Sequence, residues 1–144
     1  MKKILIIGAG GQISSELTMK LRSVYGGDNV VASDMRDCPA LAGNGPFVQL
    51  NALDAQAYAD IVRKYKIDSI YNLVALLSAV GEANPQKAWQ INMGALMNSL
   101  DVARQYQCAV FTPSSIGAFG PSSPKDHTPQ DTLMQPTTIY GVCK

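Results

Sequence analysis

The sequence predicts an α/β fold, a doubly wound parallel sheet of about five strands covered by helices on both faces. Three observations predict it. Short apolar runs alternate with longer segments of 3.6-residue period, the pattern of strand–helix–strand units feeding a parallel sheet. The runs lack strict polar alternation, as strands buried on both faces do. The first run also passes straight into a glycine-rich turn ahead of a helical segment.

The first strand is expected at residues 3–7, where Lys3 leads into Ile4-Leu5-Ile6-Ile7. Two lysines before an apolar run resemble a signal peptide, but Gly8 ends the run too early for one. Ile13, Leu17, Leu21 and Val24 then form an apolar stripe at helical spacing, closed by Gly26-Gly27. A second strand follows at 30–33, a loop at 35–46 rich in Pro and Gly, and a third strand at 47–50. Asp54 is a suitable N-cap for a helix whose stripe is Tyr58, Ile61, Val62 and Tyr65. After a fourth strand at 69–74, Asn84 and Pro85 open a long helix reaching about Tyr106, Asn84 as N-cap and Pro85 at the first helical position. The fifth strand is expected at 109–112, and 113–136 reads as a loop. There is no internal repeat and no low-complexity tract.

The 144 residues are 47% hydrophobic and 16% charged with a net charge of +1, which excludes disorder and describes one globular domain. So balanced a charge builds no field to gather phosphate backbones or anionic lipid. The expected partner is a small molecule, with no nucleic acid and no membrane. No run approaches the about 20 apolar residues of a membrane span. Cys38, Cys108 and Cys143 are odd in number and far apart, with His127 as the single histidine, so neither a disulfide framework nor a metal site is expected. This cysteine usage fits a reducing, cytoplasmic setting.

The turn Gly8-Ala9-Gly10-Gly11-Gln12-Ile13-Ser14 carries the first chemistry. Glycines let the chain turn sharply and bring its backbone against a pyrophosphate, whose charge then meets the free N–H groups of the helix N-terminus. Ser14 stands where the GxxGxxG pattern has its third glycine. Asp34, after the second strand, can accept both ribose hydroxyls and repel a 2′-phosphate, which favours NAD over NADP, although Arg36 nearby can act in the opposite sense. At the other end, Tyr140 and Lys144 lie one helical turn apart. A tyrosine of pKa ~10 becomes a base near neutrality only if its phenolate gains about 4 kcal/mol, and an adjacent ammonium contributes to that. Ser115, just past the fifth strand, can hydrogen-bond a substrate oxygen while Tyr140 takes its proton. Ser114 is the competitor for that role, and the spacing to Tyr140 favours Ser115.

The glycine turn with Asp34, Asn72-Leu73-Val74-Ala75, Asn92, Pro113-Ser114-Ser115 and Tyr140-Gly-Val-Cys-Lys144 together resemble the extended short-chain dehydrogenase/reductases of the NAD-dependent epimerase/dehydratase family. More narrowly, Leu76-Leu77-Ser78-Ala79, the stretch from Pro113 to Pro121, Pro124-Lys125 with Thr128-Pro129-Gln130, and Gln135 to Tyr140 resemble the short-chain type of L-threonine 3-dehydrogenase.

That resemblance implies a Rossmann-type sheet, truncated after about five strands, with 1–144 as an NAD-binding domain and the C-terminal substrate lobe absent. It implies cofactor contacts at Gly8, Gly11, Gln12, Ile13, Asp34, Asn51, Ala52, Leu53, Ala75, Leu76, Leu77 and Lys144. Asn51 stands where the family usually has Asp, and Cys143 where it commonly has Ser. Ser115, Tyr140 and Lys144 would be catalytic, Ser78, Ser115 and Tyr140 would face the substrate, and Asn92 would buttress the active-site backbone. The implied reaction is NAD-dependent oxidation of L-threonine to 2-amino-3-oxobutyrate by the parent protein, this chain being a cofactor-binding fragment with little activity. The alternatives are a nucleotide-sugar epimerase or dehydratase, and a non-catalytic NAD-binding fragment. A homodimer through the long helix 85–106 is also implied. His127 reads as a loop residue, Trp89, Met93 and Met97 as packing or interface residues, and Tyr25, Tyr58 and Tyr65 as helix-face packing residues.

Overall fold

The computed structural model describes residues 2–144 and divides into two compact units. The first runs to Val74 and includes Gly94–Thr112; the second comprises Ala75–Met93 and Pro113–Lys144.

The first unit is built on five parallel strands, β1 (Ile4–Ile7), β2 (Val30–Asp34), β3 (Phe47–Gln49), β4 (Ser69–Asn72) and β5 (Ala109–Phe111). Their order is β3-β2-β1-β4-β5, with Ile4 opposite both Val30 and Ser69. β1 is therefore paired on both edges and covered on both faces, which is why its sequence is apolar without alternation. Its pleat feeds two cores. Leu5 and Ile7 join Tyr58, Ile61 and Val62 of α3 (Ala55–Tyr65) and Ala95, Val102 and Ala103 of α5 (Pro85–Tyr106). Ile4 and Ile6 point the other way, to Val30, Ala32, Leu41 and Leu21. The chain leaves β1 toward β2 on one side and reaches β4 on the other, so strand order reverses at the carboxyl end of β1, where ligands bind in such sheets.

The expected helices are present, and one buries polar residues beside its predicted stripe. In α1 (Gln12–Tyr25) only the middle of the predicted stripe packs inward: Leu21 lies against the Ile4 and Ile6 core and Leu17 is half-buried, but Ile13 is 72% exposed and Val24 is exposed, while Ser14, Thr18 and Arg22 are buried. Small side chains let the helix approach the strands closely, Thr18 returns its hydroxyl proton to the Ser14 carbonyl at 2.6 Å, and the Arg22 guanidinium is satisfied by backbone oxygens. Gly26, at φ 89°, ends α1 as the sequence suggests. In α3 the expected stripe is buried, and the Asp54 carboxylate accepts the Ala57 N–H at 2.9 Å as the N-cap.

Single turns occupy the segments that read as loops, namely α2 (Pro39–Ala42) and the 3₁₀ turn Ile116–Ala118. The second unit adds α4 (Ser78–Ala83) and α6 (Ile139–Val142). Among the described residues no helix is long and apolar enough to cross a membrane.

Candidate functional site

The glycine turn lies at the end of β1 in the first unit. Gly8 has φ 78°, and a Cβ there would sit 3.1 Å from the backbone of Leu73 and Val74, so both conformation and space demand glycine. Its carbonyl accepts the Gly11 N–H at 3.3 Å, closing the turn. Gly11 is the N-cap of α1 and offers no side chain to the first-turn amides, the arrangement that suits a phosphate. Gln12 and Ile13, both exposed, open the helix. Ser14, in place of the third glycine, is buried and its carbonyl accepts the Thr18 hydroxyl.

Asp34 ends β2 beside this turn. Its Oδ2 accepts the Gly10 N–H at 2.9 Å and its Oδ1 the Arg36 N–H at 3.0 Å. A Cβ on Gly10 would lie 3.0 Å from that carboxylate and 2.9 Å from Cys38 Sγ, so the middle glycine is what lets Asp34 reach the turn. Burial, reinforced by the Asp34 charge, pushes the Cys38 thiol pKa up. The Arg36 guanidinium stands 3.5 Å from Asp34 and is otherwise exposed. Asn51 uses its side-chain oxygen on the Leu53 N–H at 3.1 Å, and the Ala52 carbonyl accepts from Asn98 at 2.9 Å, which fixes the turn 51–54. These glycine cradles and the carboxylate beside them fit an adenosine diphosphate group.

In the second unit, Asn92 clamps Leu76 from both sides, accepting its N–H at 2.7 Å and donating to its carbonyl at 3.2 Å. Ala75 and Leu76 are half-buried, Leu77 is exposed, and Ser78 begins α4 on the surface. Ser115 and Tyr140 meet around Gly117. A Cβ there would lie 3.3 Å from the Tyr140 ring and 3.5 Å from Ser115 Oγ, which itself accepts the Gly117 N–H at 3.2 Å. The Lys144 ammonium is 5.7 Å from the Tyr140 ring centroid and donates to the Pro113 carbonyl at 3.2 Å. Ser114 instead spends its hydroxyl on the Lys144 carbonyl at 2.9 Å. His127 is exposed, at φ 51°, in the loop.

Sequence reasoning missed the residues that hold this cluster. Thr138 caps α6 through the Gly141 N–H at 3.0 Å, and Glu82 accepts the Ile139 N–H at 2.8 Å. Gly141 is buried where a Cβ would strike the Gly117 carbonyl. A threonine just before a short apolar helix is a readable cap signal. Glu82 leaves none, because its partner lies far along the chain.

The sequence model of the NAD-dependent epimerase/dehydratase family matches residues 4–144. The chain belongs to that family. A relative described only as an uncharacterized epimerase/dehydratase, from Staphylococcus aureus strain USA300, is 53% identical over all of this chain and 46% of its own length. Among solved structures, the L-threonine dehydrogenase of Clostridium difficile superposes with a TM-score of 0.95 at 51% identity, over 99% of this chain and 46% of that one. The GalE-like L-threonine dehydrogenase of Cupriavidus necator, in its holo form, gives 0.94 at 47% identity over 98% and 46%. The chain thus spans about half the length of the relatives it matches.

Proposed function

We propose that the chain supplies the cofactor-binding and proton-transfer residues of an NAD-dependent oxidation of L-threonine to 2-amino-3-oxobutyrate. The observation that carries the reading is the packing of Ser115 and Tyr140 against Gly117 with Lys144 over the tyrosine ring. High identity to L-threonine dehydrogenases supports the substrate.

In the first unit, Gly8, Gly11, Gln12 and Ile13 hold the pyrophosphate, Asp34 the adenosine ribose, and Asn51, Ala52 and Leu53 the adenine. In the second, Ala75, Leu76, Leu77 and Lys144 hold the nicotinamide ribose end. NAD, when bound, supplies the hydride acceptor. Ser115 Oγ donates a hydrogen bond to the substrate hydroxyl oxygen, and Tyr140 Oη takes that hydroxyl's proton. Lys144 stands beside that tyrosine, its ammonium 5.7 Å from the Tyr140 ring centroid. Ser78 contributes a further polar contact to the amino acid. Asn92 keeps the Leu76 backbone in place throughout.

Thermal unfolding with NAD, L-threonine and a uridine diphosphosugar added separately tests the substrate class. NAD should stabilise the chain, and L-threonine should add to that stabilisation. A shift with the diphosphosugar and none with L-threonine replaces this reading with a nucleotide-sugar enzyme. A shift with NAD alone leaves a cofactor-binding chain without the substrate assigned to it.

A further inference from the structure

Arg22 is a buried cation that the proposed reaction does not use. It stands in the last turn of α1 and is 5% exposed. Among the described residues no ion pair includes it. Its neutralisation comes from backbone dipoles: Nε donates to the Val30 carbonyl at 3.2 Å, Nη2 to the Pro46 carbonyl at 2.7 Å, and Nη1 to the Leu41 carbonyl. The three oxygens belong to the start of β2, to α2 and to the residue before β3. Only a planar fork with several donors serves three carbonyls from three segments at once.

A second feature is shaped around the same group. Gly45 has φ 151°, and a Cβ on it would lie 2.8 Å from Arg22 Nε. The chain therefore passes over the guanidinium at a distance that only glycine permits. Between them, Arg22 and Gly45 pin the middle and the end of the connection 35–46.

That connection reaches the adenosine end of the cofactor cradle. It begins directly after Asp34, donates the Arg36 N–H to Asp34 Oδ1, and places Cys38 Sγ against Gly10. The Asp34 carboxylate is thus held from two directions, by the glycine turn and by the connection.

We propose that Arg22 is a positioning residue for the adenosine ribose, holding the 35–46 connection so that Asp34 keeps the orientation that selects NAD over NADP. The inference rests on the cofactor reading above. Without the clamp, the Arg36 amide no longer fixes Asp34, the ribose hydroxyls lose their acceptor, and the exposed Arg36 guanidinium is free to meet a 2′-phosphate.

Calorimetric titration of NAD and of NADP into the wild-type chain, Arg22→Met, Arg22→Lys and Tyr58→Phe tests this, with far-UV circular dichroism to establish folding. The Tyr58 variant weakens the core on the face away from α1 and controls for general destabilisation. Both Arg22 variants should bind NAD about tenfold more weakly, with the NAD-to-NADP affinity ratio falling by a similar factor, while Tyr58→Phe keeps the ratio of the wild type. If Arg22→Met does not fold, Arg22→Lys, which keeps the charge but replaces the planar fork with a single ammonium nitrogen, decides the matter. A folded Arg22 variant with an unchanged ratio overturns the proposal and leaves the cofactor reading standing, as does an equal loss of selectivity in Tyr58→Phe. A wild-type chain that binds neither dinucleotide overturns the cofactor reading and this proposal with it.

Discussion

The Glu82 carboxylate accepts the backbone N–H of Ile139 at 2.8 Å, so α4 holds the first turn of the helix that carries Tyr140. A four-residue helix has little stability of its own, and its end depends on the groups that take its free amides. Glu82→Ala should cost about 1 kcal/mol locally, the size of a lost N-cap. Hydrogen exchange at the Ile139 amide should accelerate several-fold, while binding of ADP stays as in the wild type.

Gly141 faces the Gly117 carbonyl with no room for a methyl group, and Pro136 Cβ would lie 2.7 Å from an added Cβ. Gly141→Ala must therefore push α6 off the Ser115 segment. Overpacking of this kind costs about 1–3 kcal/mol. The expected outcome is a lower melting temperature, with the adenosine end still able to bind ADP.

Tyr58 is fully buried and donates its hydroxyl to Ser99 at 2.9 Å, and Ser99 passes its own proton to the Ala95 carbonyl at 2.7 Å. Tyr58→Phe leaves Ser99 without that donor and should cost about 1–2 kcal/mol in urea unfolding. Burial also raises the Tyr58 pKa. The unfolded state then releases the phenol proton at lower pH than the folded state does. The tyrosine's contribution to stability is complete below pH ~10 and declines as pH rises above it toward the folded pKa. The stability difference between wild type and Tyr58→Phe, measured by urea unfolding at pH 8 and above pH 10, should narrow at the higher pH.

What was legible in the sequence follows from how each element is buried. β1 could be read because a strand paired on both edges and covered on both faces has to be apolar throughout. Asp54 and Gly26 could be read because caps and left-handed stops draw on few residue types. α1 is legible only in part: Leu17 and Leu21 of its apolar stripe are half-buried, Leu21 against the core, and the ends of the stripe are exposed. Ser14, Thr18 and Arg22 are its most buried residues, and a pattern that equates buried with apolar passes them over and selects Ile13 and Val24. In the candidate site, the Tyr140–Lys144 spacing and the glycine turn show themselves locally. The Glu82 and Arg22 contacts join segments distant in sequence and leave no local signal.

α5 exposes Trp89, Met97 and Leu100 on its surface. Exposed apolar side chains on a long helix favour burial against another helix. If the expected homodimer forms there, sedimentation of the wild-type chain should show concentration-dependent self-association, and Met97→Glu with Leu100→Glu should leave a monomer of unchanged helical content.

The proposed reaction turns on Tyr140 as the acceptor of the substrate's hydroxyl proton. The direct measurement titrates NAD into wild type and Tyr140→Phe by calorimetry, then follows the absorbance of reduced nicotinamide as L-threonine is added to each. Both chains should bind NAD, and any threonine-dependent reduction in the wild type should disappear in Tyr140→Phe. Reduction that persists in Tyr140→Phe, or a wild-type chain that does not bind NAD, would contradict the proposed reaction.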